Sequence, residues 1–140
     1  MRAALSALLA LSLGACVAPA PPAETGQPAC VAGAVVDGDT FRLACSGQPE
    51  RLVRLQGIDA PEIARAMCPA ERAAGARSRQ ALEALLRSGP ITGIRYGDRL
   101  SDGRQAATVE LGGRDLGALL VAQGAARTVD GGYVDWCAGG

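Results

Sequence analysis

The sequence predicts a mainly β member of the α+β class, built as a five-stranded OB-type barrel. Three observations predict it. Five short β-rich runs, bounded by turn residues, recur along the chain from residue 30 onward. One amphipathic helix falls between the third and fourth of these runs, and a second follows the fifth. The resulting order, three strands, helix, two strands, helix, fits a small Greek-key barrel.

Each element has a local cause. "CVAGAVV" (30–36) and "TFRLAC" (40–45) flank Asp37-Gly38, a strong hairpin-turn signal. "RLVRLQGI" (51–58) follows the turn "SGQPE" as the third strand. In "PAERAAGARSRQALEALLRSG", Leu82, Leu85 and Leu86 recur at helical spacing, with Pro69 at the start and Gly89 as the C-cap. "ITGIRY" (91–96) and "QAATVEL" (105–111) are the fourth and fifth strands. The last helix lies in "GGRDLGALLVAQG", with Leu116, Leu119 and Leu120 on one face and Gly124 as its stop. After Arg127, "TVDGGYVDWCAGG" reads as irregular, anchored by Cys137 and by burial of the Trp136 ring.

The 140 residues suffice for one domain with a real core. Fourteen basic residues balance fourteen acidic ones, and every basic residue is arginine. The chain therefore lacks the broad positive field that marks a nucleic-acid binder by charge alone. Histidine is absent, which excludes His-based triads and His metal ligands. Catalysis would have to use carboxylates, arginines, thiols or a metal held by oxygen.

The start, "MRAALSALLALSLGAC", has a charged residue, an apolar run and small residues before Cys16, the layout of a signal peptide over 1–15. "LGAC" resembles the lipobox of bacterial lipoproteins. That resemblance implies a lipid anchor at Cys16, with Val17 in the next position pointing to the periplasmic face of the outer membrane; the alternative is a plain signal peptide and secretion. Residues 16–29, rich in proline and alanine, read as the anchor and a semi-extended tether. The folded domain is expected over 30–140.

Beyond Cys16 stand Cys30, Cys45, Cys68 and Cys137. An even count in an exported chain suggests disulfides, and four cysteines allow three pairings. A two-residue turn at 37–38 would set Cys30 opposite Cys45. That favours Cys30–Cys45 and, by remainder, Cys68–Cys137, each contributing about 3–5 kcal/mol by constraining the unfolded chain.

Two acidic motifs raise the question of function. "DGDT" reads most simply as a hairpin turn with Asp39 in solvent. "DAPE" reads most simply as a capped helical turn, with Asp59 at the N-cap and Glu62 three residues on. Arg54 is harder to explain, since it lies mid-strand between Val53 and Leu55 and needs a partner. Arg54 and Asp59 differ in parity, so an ideal strand would aim them at opposite faces. A bulge or bend at Gly57 is predicted, returning both to one side. Arg104 follows the Asp102-Gly103 turn and opens the fifth strand.

"VVDGDTFRL", "RLVRLQGIDAPE", "DGR" and "LLVAQGAA", in this order over roughly residues 31 to 127, resemble the staphylococcal nuclease (thermonuclease) family. The resemblance implies a calcium-dependent endonuclease. Asp39 and Asp59 would be the carboxylate ligands of Ca2+ and Ala60 the carbonyl ligand. Glu62 would be the general base toward water, and Arg54 and Arg104 would grip the scissile phosphate. So few protein ligands imply weak binding, about 10⁻⁴–10⁻³ M. Cleavage at the 5′-oxygen, leaving 3′-phosphate ends on DNA or RNA, is also implied. The chain departs from the family in three places. Ser101, Asp102 and Gly103 replace the usual tyrosine and lysine before the second arginine. Tyr133 is only a loose match for the base-stacking tyrosine. The family's long C-terminal helix has no counterpart, and the second disulfide is expected to hold that end instead. With little net charge, a preference for single-stranded or frayed nucleic acid is expected, and the protein is expected to be a monomer. The alternatives are a non-catalytic OB module binding nucleic acid or protein at the envelope, and a purely structural envelope lipoprotein.

Overall fold

The computed structural model describes residues 29–129 and 134–138. The expected leader, the Cys16 anchor, the tether up to residue 28 and Tyr133 lie outside the described residues. The elements are β1 (Cys30–Asp37), β2 (Thr40–Cys45), β3 (Arg51–Leu55), β4 (Ile58–Asp59), α1 (Pro69–Ser88), β5 (Ile91–Arg99), β6 (Gln105–Leu111), β7 (Arg114–Asp115), α2 (Leu116–Ala122) and β8 (Arg127–Thr128). The class is α+β with strands predominating.

The main sheet is mixed, in the order β1-β2-β3-β6-β5, with β7 paired to β6. The β3–β6 pair is parallel and the others are antiparallel. A parallel pair needs a long crossover, and the chain between β3 and β6 supplies it with α1 and β5. The sheet does not close into a barrel: β1 and β5 stand at its two ends with no ladder joining them. A groove there is lined by Cys30–Val35 of β1, by Glu83, Leu86 and Arg87 of α1, and by Gly89, Pro90 and Ile91.

The first hairpin differs from expectation by one residue. Asp37 pairs with Thr40, so Gly38 and Asp39 make the turn, not Asp37 and Gly38. Neither turn residue has positive φ, so this is not the primed turn that Asp-Gly usually signals. Gly38 is needed for space instead: a Cβ there would lie 1.8 Å from Ser78 Oγ of α1. Two register irregularities in β1 absorb the displacement, and Cys30 still stands opposite Cys45. The disulfides are Cys30–Cys45 and Cys68–Cys137, as favoured from the sequence.

The third strand breaks after Leu55 at a turn through Gln56 and Gly57, where Gly57 has φ 73°. Glycine occupies this left-handed region without the steric cost of a Cβ. The chain resumes as β4, which pairs with β8, a strand not foreseen in the irregular C-terminal stretch.

The core comprises Phe41, Leu43, Val53, Leu55, Val109 and Leu111 from the sheet, Leu82 from α1, and Leu116 and Leu120 from α2. Leu85 and Leu86 pack against it partly buried, while Leu119 is only half-buried. Each fully buried leucine contributes roughly 1.5–3 kcal/mol. Helix α2 ends at Gly124 in a Schellman pattern, with Ala125 N–H on Leu120 O and Gly124 N–H on Val121 O. Helix α1 ends differently. Gly89 is extended (φ −176°), not left-handed, because Pro90 excludes the residue before it from the helical region.

Candidate active site

The hairpin turn, the neighbouring strands and the turn into β6 bring distant polar residues to one place. Thr40 pairs with Arg54 across β2 and β3, and Arg54 pairs with Ala106 across β3 and β6. Asp39 and Arg104, each one residue outside its strand, therefore flank Arg54. The bend at Gly57 adds Asp59 to the same side.

The contacts are specific. Arg54 Nη2 lies 3.0 Å from Asp39 Oδ2 and 3.0 Å from Asp59 Oδ1, so one guanidinium nitrogen bridges both carboxylates. The facing oxygens are no further apart than those two contacts laid end to end. Asp39 Oδ2 also accepts from the Ala60 N–H at 3.4 Å, and Asp39 Oδ1 accepts from the Thr40 hydroxyl at 2.8 Å. Thr40 Oγ1 in turn accepts from Arg104 Nη1 at 3.1 Å. Asp102 orients Arg104 from the other side, accepting from Nε at 2.8 Å and lying 2.8 Å from Nη2.

Asp39 is only 4% exposed, which removes the reading of this residue as a solvated turn acid. Burial pushes its carboxyl above the ordinary range, against the lowering by Arg54, the Thr40 hydroxyl and the Ala60 amide; the charge of Asp59 adds to the rise. For Arg104, burial works to lower the guanidinium. The hydrogen bond and charge of Asp102, with the charges of Asp39 and Glu62, outweigh burial and raise it. The hydrogen bond to Arg104 holds Asp102 below the usual carboxylate range.

The "DAPE" segment is not a capped helical turn. Asp59 lies in β4, and no helix begins at Pro61. The Glu62 N–H is taken by Glu71 Oε1 at 3.3 Å, not by Asp59. Glu62 reaches the site through its charge on Arg104, and its own contact is Arg65 Nη2 at 3.2 Å. Ala60 meets the site through its N–H. All six residues singled out in the sequence thus belong to one neighbourhood, with Glu62 at its edge.

Several supporting residues were not foreseen. Glu71, 5% exposed, accepts from the N–H groups of Glu62 and Met67 and so ties down both ends of the loop that carries Glu62. Glu71, Gly75, Ser78 and Leu82 form the buried stripe of α1. A Cβ at Gly75 would lie 2.7 Å from the Glu62 carbonyl oxygen and 2.8 Å from that of Pro61. Trp136 donates from Nε1 to Asp59 Oδ2 at 2.9 Å, under the guanidinium of Arg127, 4.6 Å from the ring centroid. Its ring is half-buried, less than expected. The Glu71 signal was present in the sequence, since an acid three residues after Cys68 and two after Pro69 sits in the first turn of a helix. The Trp136 contact had no local signal.

No family model matches this chain, and a search of curated proteins finds no match. The functional reading therefore rests on the motifs and on this geometry.

Proposed function

We propose that this chain is a calcium-dependent nuclease hydrolysing phosphodiester bonds of DNA or RNA, carried on a partly open OB-type barrel of the staphylococcal nuclease kind. The observation that carries the reading is the bridging of Asp39 and Asp59 by Arg54, with Arg104 joined to the same cluster through Thr40. The sheet order, with α1 beside the gap between β1 and β5, supports the barrel reading.

The donor set suits a hard cation. Two carboxylates face one another across a single guanidinium nitrogen, so two negative charges share one positive neighbour in direct contact. Calcium takes oxygen ligands only, and Asp39 and Asp59 would hold it, with the Ala60 carbonyl as the third ligand implied by the resemblance. When bound, the ion supplies Lewis-acid polarisation of the phosphate.

The chain's own residues supply the rest. Arg54 and Arg104 present planar guanidinium forks that match phosphate oxygens and balance the charge that builds in the transition state. Asp102 and Thr40 hold Arg104 in place before substrate arrives. Glu62 is partly exposed to water on an edge of the cluster and takes the proton of the attacking water. Burial of Asp39 and Thr40 keeps the floor of the site dry.

A binding module with no catalysis would not use Glu62, and this residue separates the two readings. Purified, oxidised protein is incubated with single-stranded DNA, with calcium or with chelator. Calcium-dependent cutting that falls about 10²–10⁴-fold in Glu62→Gln supports the enzyme. Binding of DNA without cutting in the wild type would select the binding module.

A further inference from the structure

We propose that Trp136 is a positioning residue for the cation site, holding Asp59 in its ligating orientation, and that the Cys68–Cys137 disulfide holds Trp136 there. This rests on the calcium reading above and goes beyond it, because it assigns a role to a part of the chain outside the four motifs.

The geometry is closed at both ends. Asp59 has two carboxylate oxygens: Oδ1 faces Arg54 at 3.0 Å, and Oδ2 accepts from the indole Nε1 of Trp136 at 2.9 Å. The indole is a donor only, so it fixes the carboxylate without competing for the ion. Arg127, from the strand paired with β4, covers the ring at 4.6 Å. The next residue, Cys137, is bonded to Cys68. Cys68 is the N-cap of α1, its sulfur accepting from the Glu71 N–H at 3.3 Å. One covalent link therefore connects the segment that orients Asp59 to the helix start that, through Glu71, secures the Glu62 loop. Outer partners that orient a metal-binding carboxylate by hydrogen bonding typically account for 10- to 100-fold in affinity.

Trp136 is the sole tryptophan of the chain, which makes the test direct. Calcium dissociation constants are measured by calorimetry for the oxidised wild type, for Trp136→Phe, and for Cys68→Ser/Cys137→Ser, in which serine still caps α1. Terbium(III) is used as a luminescent substitute, excited through the tryptophan. The wild type should show tryptophan-sensitised terbium emission that calcium displaces. Trp136→Phe should weaken calcium by about 10- to 100-fold while the melting temperature of the metal-free protein changes little. The double cysteine variant should weaken calcium similarly, and adding Trp136→Phe to it should cost little more. Unchanged calcium affinity in Trp136→Phe, with the wild type binding normally, overturns the positioning role alone. Additive losses in the combined variant overturn the disulfide's part in it. A wild type that binds neither ion overturns the calcium reading, and this inference with it.

Discussion

The carboxylate of Asp39 lies 3.0 Å from the guanidinium of Arg54, yet it holds its proton more tightly than an ordinary aspartate. A group whose folded-state pKa lies above its unfolded value favours the fold when protonated. That contribution is full below the ordinary aspartate value of 3.8 and is lost as pH rises through the folded value. At neutral pH the ionised Asp39 is thus a cost to the metal-free protein. Asp39→Asn removes this titration and should flatten the metal-free protein's loss of stability as pH rises from the acid side. Calcium should no longer shift the melting temperature. Thermal melts across pH, with and without calcium, check this; an Asn variant with the wild-type pH profile would contradict it.

Arg54 and a cation would serve the same two oxygens. Arg54→Ala removes the guanidinium that bridges Asp39 and Asp59, leaving Asp39 the Thr40 and Ala60 hydrogen bonds and the charge of Arg104. The metal-free variant should lose about 1.5–3 kcal/mol, the worth of a hydrogen bond to a charged group. Calcium should restore more stability to this variant than to the wild type, while cleavage stays low. Denaturant titrations at several calcium concentrations measure the difference.

Gly75→Ala sets helix stability against site geometry. Alanine favours a helix interior by about 1 kcal/mol over glycine, but its Cβ would press on the carbonyls of Pro61 and Glu62. The loop must shift, and misplacement of this size costs about 10²-fold in rate. A near-normal melting temperature with a strongly reduced kcat is the expected outcome. An unaffected kcat would mean that the Glu62 loop need not rest on α1.

The lipobox-like "LGAC" makes a separate prediction about location. Cys16→Ser should move the protein from the membrane fraction to the soluble fraction of the exporting cell. Among the described residues no helix is long and apolar enough to cross a membrane. Retention of the variant in the membrane fraction would count against a lipid anchor at Cys16.

The elements were legible where apolar spacing and turn chemistry agree. Leu82, Leu116 and Leu120 announce the helices, and the Gly57 bend follows from the parity conflict between Arg54 and Asp59. The hairpin turn was misplaced by one residue because Asp-Gly signals a primed turn, whereas Gly38 is held by the space left beside Ser78. The stripe of α1 that supports the site escaped notice because Glu71, Gly75 and Ser78 are not apolar, and helical periodicity sees only hydrophobic faces. The contact from Trp136 to Asp59 spans most of the folded chain, and nothing local encodes it. The open edge between β1 and β5 was equally hidden, since strand order alone does not fix whether a sheet closes.

On the nuclease reading proposed above, the link between Cys68 and Cys137 would also bear on when the molecule becomes active. A newly made polypeptide in a reducing cytoplasm would carry both thiols free and its indole unmoored, so its centre would be unfinished. Oxidation after export would complete it. The producing cell's own chromosome and transcripts would then be spared by timing, without a dedicated inhibitor.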